Sequence, residues 1–139
     1  MKLIWNSKIL IGKGGNASVY KIYDDRGSNF AVKISKSIRN DKAYQRFCDE
    51  VEILEKLNGN EGIVPILYKH LPEKVSKTNR AYFVMPLCGK VSCNVSTFNS
   101  FNNFYTLIIK LATTLVDLHD KNIAHRDIKP DNLLLYNGN

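Results

Sequence analysis

Cysteine is scarce in this 139-residue chain. Cys48, Cys88 and Cys93 are odd in number and form no C-x-x-C pair. That count argues against a disulfide framework and against a thiolate zinc site, and it makes a reducing cytoplasmic location the expectation. Long apolar runs are missing too, and none approaches the ~20 residues that a membrane span needs. The opening Met1-Lys2-Leu3-Ile4-Trp5-Asn6-Ser7-Lys8 turns polar after four residues, without the apolar stretch of a secretion signal. Eight Gly and four Pro are too few for a collagen-like or low-complexity chain. The length suits one domain rather than several. Acidic residues are outnumbered 13 to 20, giving a net charge of +7, but the excess is shared as +4 over residues 1–70 and +3 over residues 71–139. A nucleic-acid arm would concentrate that charge, so neither nucleic acid nor membrane is an expected partner.

What remains is 44% hydrophobic and strongly patterned. Residues 8–11, 18–23 and 30–34 are short runs rich in β-branched and aromatic side chains. Gly12, Gly14 and Gly15 interrupt the first two, and Asp24-Asp25-Arg26-Gly27-Ser28 separates the last two. Three strands with short links predict an antiparallel meander. The period then changes. Tyr44, Phe47, Val51, Leu54 and Leu57 recur three or four apart, which predicts a helix over 41–57 with Asp41 as N-cap and Asn58-Gly59 as stop. Residues 63–68 and 81–87 read as two further strands, and Ser/Asn-rich residues 92–103 as a connector. Phe104, Leu107, Ile108, Leu111, Leu115 and Leu118 predict a long helix over 104–119. Ile109, Ala112 and Val116 widen its stripe, so it expects partners on more than one side. Leu133-Leu134-Leu135-Tyr136 is a short apolar strand, and the Asn137-Gly138 after it is hairpin-turn chemistry with no returning strand. A wide apolar helix and half a hairpin lead to the expectation of a chain cut inside a domain.

Three constellations carry chemistry. Gly12-Lys13-Gly14-Gly15-Asn16-Ala17-Ser18-Val19 lies between two strands, where glycines let backbone N–H groups approach phosphate oxygens. No helix follows it, as a dinucleotide fold would require, and no Gly-Lys-Ser/Thr closes it. A plain glycine-rich hairpin is the other reading. Lys33, within Phe30-Ala31-Val32-Lys33, could meet phosphate charge if a carboxylate steadied its stem, and Glu50 on the next helix could do so. Either residue could equally face water. In His125-Arg126-Asp127-Ile128-Lys129-Pro130-Asp131-Asn132, Asp127 can accept a hydroxyl proton. Asn132 offers a neutral oxygen to a hard cation such as Mg²⁺, and Lys129 could reach phosphate.

Together these residues resemble the protein kinase family, of serine/threonine type. Gly12 to Val19 is similar to its glycine-rich loop G-x-G-x-x-G-x-V, with Ala17 at the third glycine. Ala31-Val32-Lys33 resembles V-A-I-K, and residues 125–132 fit the catalytic loop H-R-D-x-K-x-x-N in full. The resemblance implies an α+β, protein-kinase-like fold. Its five-stranded antiparallel N-lobe sheet with one helix would occupy about residues 1–87, and a partial helical C-lobe residues 88–139. It implies that ATP is held by Ile11, Gly12, Gly14, Gly15, Val19 and Ala31, with Lys33 on the α- and β-phosphates, paired to Glu50 rather than Glu52 or Glu55. Met85 would be the gatekeeper before a hinge reaching Cys88, and Pro86, which has no N–H, stands in that hinge. Asp127 would orient a protein Ser/Thr hydroxyl, Lys129 steady the γ-phosphate and Asn132 bind Mg²⁺. Arg126 would pair with a phosphorylated activation loop.

Within these 139 residues no Asp-Phe-Gly follows the catalytic loop, although the family uses that Asp to hold its principal Mg²⁺. The expectation is therefore a kinase form truncated before that motif, or one split with a second chain supplying the rest of the C-lobe, with little activity alone. A catalytically inactive ATP-binding regulatory module is the alternative. A small-molecule phosphotransferase fits less well, because its loop generally lacks the Arg126 and Lys129 equivalents.

Overall fold

A computed structural model describes residues 2–90 and 101–135. By contact the chain divides into two units, Met1–Gly59 with Val64–Leu87, and Asn60–Ile63 with Cys88–Asn139. Among the described residues no helix is long and apolar enough to cross a membrane.

The first unit is built on period-two alternation. Strands β1 (Leu3–Lys13), β2 (Ala17–Asp24), β3 (Asn29–Ser35), β4 (Tyr68–His70) and β5 (Tyr82–Pro86) form one antiparallel sheet in the order β1-β2-β3-β5-β4. The meander over β1 to β3 and the five-stranded sheet are as the sequence predicts. Helix α1 (Lys42–Lys56) begins at Asp41, whose carboxylate accepts from the Tyr44 N–H at 2.9 Å and from the Ser37 hydroxyl at 2.7 Å. Those bonds hold the Asp41 carboxyl below its ordinary pKa, the Ser37 hydroxyl contributing most. Past Leu57, the chain turns at Gly59 with φ of +88°, a region open to glycine without strain.

Residues that share a ladder row share a face, so the register sorts the two cores. Val19 pairs with Lys33 and Lys33 with Phe83. That face meets α1 through Phe47 and Val51, which pack with Ala17, Ala81 and Phe83. The opposite face buries Ile22, Val32 and Val84 completely, with Leu3, Tyr20, Phe30 and Tyr82 around them.

In the first unit, two strands depart from expectation. The strand predicted over 63–68 occupies Tyr68–His70 instead. Pro65 cannot donate to a ladder, residues 64–67 are not strand, and pairing begins only at Leu67, whose N–H meets the Val84 carbonyl at 2.8 Å. β1 runs five residues earlier than predicted because Ser7 mends an irregular register between Ile4 and Ile9. Its hydroxyl donates to the Ile4 carbonyl at 2.7 Å and accepts from the Tyr23 N–H at 3.1 Å.

In the second unit, helix α2 (Phe101–Asp120) starts three residues earlier than predicted, inside the proposed connector; residues 92–100 of that connector lie outside the described residues. α2 buries Leu118 and leaves Ile109 and Val116 more than half exposed. It ends in a Schellman motif. Asn122 takes φ of +57°, its N–H reaches the His119 carbonyl at 2.9 Å, and the Ile123 N–H reaches the Leu118 carbonyl at 2.9 Å. Asparagine replaces the usual glycine there because its short polar side chain tolerates the left-handed region. Asn60–Ile63 docks on α2: the Asn60 amide donates to Asp117 Oδ2 at 3.1 Å, and Gly62 lies against Thr114. A short pair, β6 (Gly89–Lys90) with β7 (Leu134–Leu135), completes the unit. The Asn137-Gly138 turn and Tyr136 lie outside the described residues.

Candidate functional site

In the first unit, the register brings several of the sequence-selected residues onto one face. Gly12 stands opposite Val19, Val19 opposite Lys33, and Ala31 opposite Met85, all on the side that meets α1. Lys33 Nζ lies 2.5 Å from Glu50 Oε1 and 5.8 Å from the centre of the Phe83 ring. α1 delivers Glu50 from the turn just before buried Val51, so the packing of the helix fixes the carboxylate. Glu52 pairs instead with Lys56, and Glu55 with Lys69. Ile11 is the extra residue of a β-bulge, since Leu10 faces Tyr20 while Gly12 already faces Val19. Bulges re-aim side chains next to binding sites, and nothing in the strand pattern marked this one.

The glycines of the loop are not demanded by the chain around them. A Cβ on Gly12 would sit 3.5 Å from Val19, one on Gly14 3.5 Å from the Ala17 carbonyl, and one on Gly15 would meet nothing. None has a positive φ. Their bareness therefore keeps backbone open on the outside of the loop, where a ligand would approach. Gly62 is the contrary case, because a Cβ there would fall 1.8 Å from Thr114 Oγ1.

The second unit holds the other cluster. After the Schellman turn, Arg126 takes φ of +61°, a left-handed conformation unusual for a long side chain and typical of functional loops. Asp127 follows. Its Oδ1 pairs with Lys129 Nζ at 2.9 Å, and its Oδ2 accepts from Asn132 Nδ2 at 2.8 Å. The same amide nitrogen reaches the Asp127 carbonyl at 2.8 Å. A single 3-10 turn at Pro130–Asn132 makes this possible by folding Asn132 back, with its N–H on the Lys129 carbonyl at 2.9 Å. The three side chains are largely exposed. Lys129 first, then Asn132, hold the Asp127 carboxyl below the usual aspartate range, so it is a carboxylate throughout neutral pH. Because Asn132 spends its nitrogen on Asp127, Oδ1 is the atom left for a cation. Among the described residues no group of three acidic, His or Cys side chains could hold a metal, so a cation here would need oxygens from its ligand as well. A neutral amide oxygen beside a carboxylate suits Mg²⁺, which takes few protein ligands and completes its shell with phosphate and water.

The family described as protein kinase domain matches residues 5–139. The chain belongs to the protein kinase family. The chain is 29% identical to serine/threonine-protein kinase mph1 of Schizosaccharomyces pombe over 138 residues, 94% of this chain and 20% of that protein. It is 30% identical to serine/threonine-protein kinase MPS1 of Saccharomyces cerevisiae, covering 93% of this chain and 17% of that one. It is 29% identical to serine/threonine-protein kinase PknD of Chlamydia abortus, covering 91% and 15%. The chain thus spans a fifth or less of the length of these curated relatives. Cys88, which the resemblance places in the hinge, is half-buried, and burial pushes its thiol pKa up. Sequence reasoning missed the bond between Asn132 and Asp127, which only the 3-10 turn after Pro130 creates. It also missed the contact of Phe83 with Lys33 and that of Lys36 with the glycine loop, which no motif spacing encodes.

Proposed function

We propose that this chain binds Mg²⁺-ATP and carries the phosphoryl-transfer apparatus of a serine/threonine protein kinase, directed at a protein Ser or Thr hydroxyl in the cytoplasm. The observation that carries the reading is the hydrogen-bonded cluster of Asp127, Lys129 and Asn132. Its carboxylate is kept ionised, its ammonium is held beside it, and its amide oxygen is left over. A carboxylate offers about four lone-pair directions, so the bonds to Lys129 and Asn132 leave acceptor capacity for a substrate hydroxyl. Asp127 orients that hydroxyl and takes its proton. Lys129 offsets charge on the γ-phosphoryl oxygens. Lys33, steadied by Glu50, does the same for the α- and β-phosphates, while Gly12, Gly14 and Gly15 admit them to the loop backbone. Ile11, Val19, Ala31 and Met85 give the adenine an apolar seat, and backbone groups near Cys88 meet its edge. Asn132 Oδ1 would help to hold Mg²⁺, which supplies charge neutralisation between the phosphates.

No Asp-Phe-Gly stands in these 139 residues, so these residues by themselves should transfer phosphate poorly, and transfer should rise when the rest of a C-lobe, on the same polypeptide or another, is supplied. The test combines isothermal titration of ATP with and without Mg²⁺ and transfer of labelled γ-phosphate to a generic Ser/Thr-rich protein. Mg²⁺-enhanced ATP binding with weak transfer is expected. Binding indifferent to Mg²⁺, with no transfer even when the rest of a C-lobe is supplied, would favour a regulatory nucleotide-binding module. Brisk transfer by the chain alone would refute the argument from the absent metal ligand.

A further inference from the structure

The glycine loop is a two-residue hairpin connection that does not close in the ordinary way. The Gly14 N–H donates to the Ala17 carbonyl at 3.0 Å, but the reciprocal bond from the Ala17 N–H to the Gly14 carbonyl is not made. The Gly14 carbonyl accepts instead from the ammonium of Lys36. The Lys36 main-chain N–H holds the next carbonyl but one, that of Asn16, at 2.8 Å. One residue just past the end of β3 thus grips two of the three carbonyls at the loop tip. Tight two-residue hairpins normally use positive φ values, and neither Gly15 nor Asn16 has one. The form of this turn is imposed from outside it.

The consequence follows from peptide planarity. In a trans peptide the N–H points opposite to the carbonyl, so fixing Gly14 C=O aims Gly15 N–H away from Lys36. The plane carrying Asn16 N–H lies between two planes that are held. Neither the Gly15 nor the Asn16 amide donates to an acceptor among the described residues. The segment that carries Lys36 away from β3 is anchored on its other side as well. Ser37, next in the chain and buried, donates its N–H to Ser35 Oγ and its hydroxyl to Asp41, the N-cap of α1.

We propose that Lys36 is a positioning residue for the glycine loop, holding the turn open so that the Gly15 and Asn16 amides stay available to phosphate oxygens. The proposal rests on the nucleotide reading given above and adds a residue to it. Lys36 acts through the loop; the phosphate meets the amides.

The experiment uses the full chain, ¹⁵N-labelled, as wild type, Lys36→Met and Lys36→Arg. Heteronuclear NOEs of residues 14–16 report the loop without ligand, and calorimetry gives Kd for ATP and for adenosine. In Lys36→Met the NOEs fall and ATP binding weakens about tenfold, the scale of a single bond to a charged group, while adenosine binding stays within twofold. Lys36→Arg restores both. Loop NOEs unchanged in Lys36→Met overturn the proposal, even if ATP binding weakens, since Lys36 would then act as a bare charge. NOEs that fall with ATP affinity unchanged overturn it too, as does equal weakening for adenosine. A wild type that binds ATP no better than adenosine refutes the nucleotide reading instead, and the NOE comparison still reports whether Lys36 holds the loop.

Discussion

Replacing Lys33 with Met separates a binding role from a structural one, and the structure sets both magnitudes. The Lys33–Glu50 pair is short, at 2.5 Å, but the side chains are 26% and 39% exposed. A partly solvated pair of that kind contributes about 0–1 kcal/mol to folding, because water screens the attraction and ordering two long side chains opposes it. The second contact, Lys33 over Phe83 at 5.8 Å, adds about 0.5–1 kcal/mol as a cation–π interaction. Met keeps the unbranched stem on that ring, so part of the packing survives. The expected loss is therefore at most about 2 kcal/mol, and the fold persists. A bond from the ammonium to a charged phosphate is worth about 1.5–3 kcal/mol, so ATP binding should weaken by about 10- to 150-fold. Adenosine has no phosphate and should bind Lys33→Met as it binds wild type. Thermal unfolding and calorimetry on the same preparations give both numbers. A variant that unfolds, or that loses ATP and adenosine affinity equally, would show that Lys33 shapes the sheet and does not meet phosphate.

Gly62→Ala should destabilise the second unit, since the new Cβ would lie 1.8, 2.5 and 2.6 Å from Oγ1, Cγ2 and Cβ of Thr114. Rotating Thr114 relieves the first two contacts but not the third, so backbone must move, at about 1–3 kcal/mol; Thr114→Ala in the same chain should rescue it only in part, and an unchanged denaturation midpoint would contradict the packing. Asp127 should titrate below the ordinary aspartate value of about 3.9 in a carbon-detected NMR titration, because Lys129 and Asn132 favour its charged form. Its folded pKa is depressed, so whatever stability these bonds add is present above the unfolded pKa and lost as pH falls through the folded one. Lys129→Met should move the midpoint upward, and a midpoint at or above the ordinary value in wild type would show that the cluster does not form in solution.

The fold was legible wherever one rule acted alone. The β-branched and aromatic runs at residues 18–23 and 30–34 predict strands, the three-to-four spacing from Tyr44 to Leu57 specifies a helix face that must be buried, and β2, β3 and α1 follow. The reading failed where two signals competed. Residues 63–68 are apolar enough for a strand, but Pro65 removes a donor and Asn60–Ile63 is held on α2 by Asp117 and Thr114. Phe101, Asn102 and Asn103 look like loop by composition, yet α2 already includes them. Propensity is weak evidence at helix ends, where tertiary context decides.

For the site, motifs and their spacing name residues but carry no account of how those residues are held. Asp127, Lys129 and Asn132 are nearly adjacent in sequence, yet their mutual bonds depend on a 3-10 turn that begins at Pro130 and on the left-handed Arg126 before it. Glycine shows the limit most clearly. Gly62 and Gly14 are the same letter, but Gly62 is bare because Thr114 fills the space, while Gly14 is bare with room to spare. Only coordinates separate those reasons, and they lead to opposite expectations. Ala at position 62 should harm folding and leave the loop untouched. Ala at position 14 or 15 should fold normally and obstruct whatever approaches the loop from outside. If Gly14→Ala instead lowers stability as much as Gly62→Ala does, the open space around the loop is not kept for a ligand.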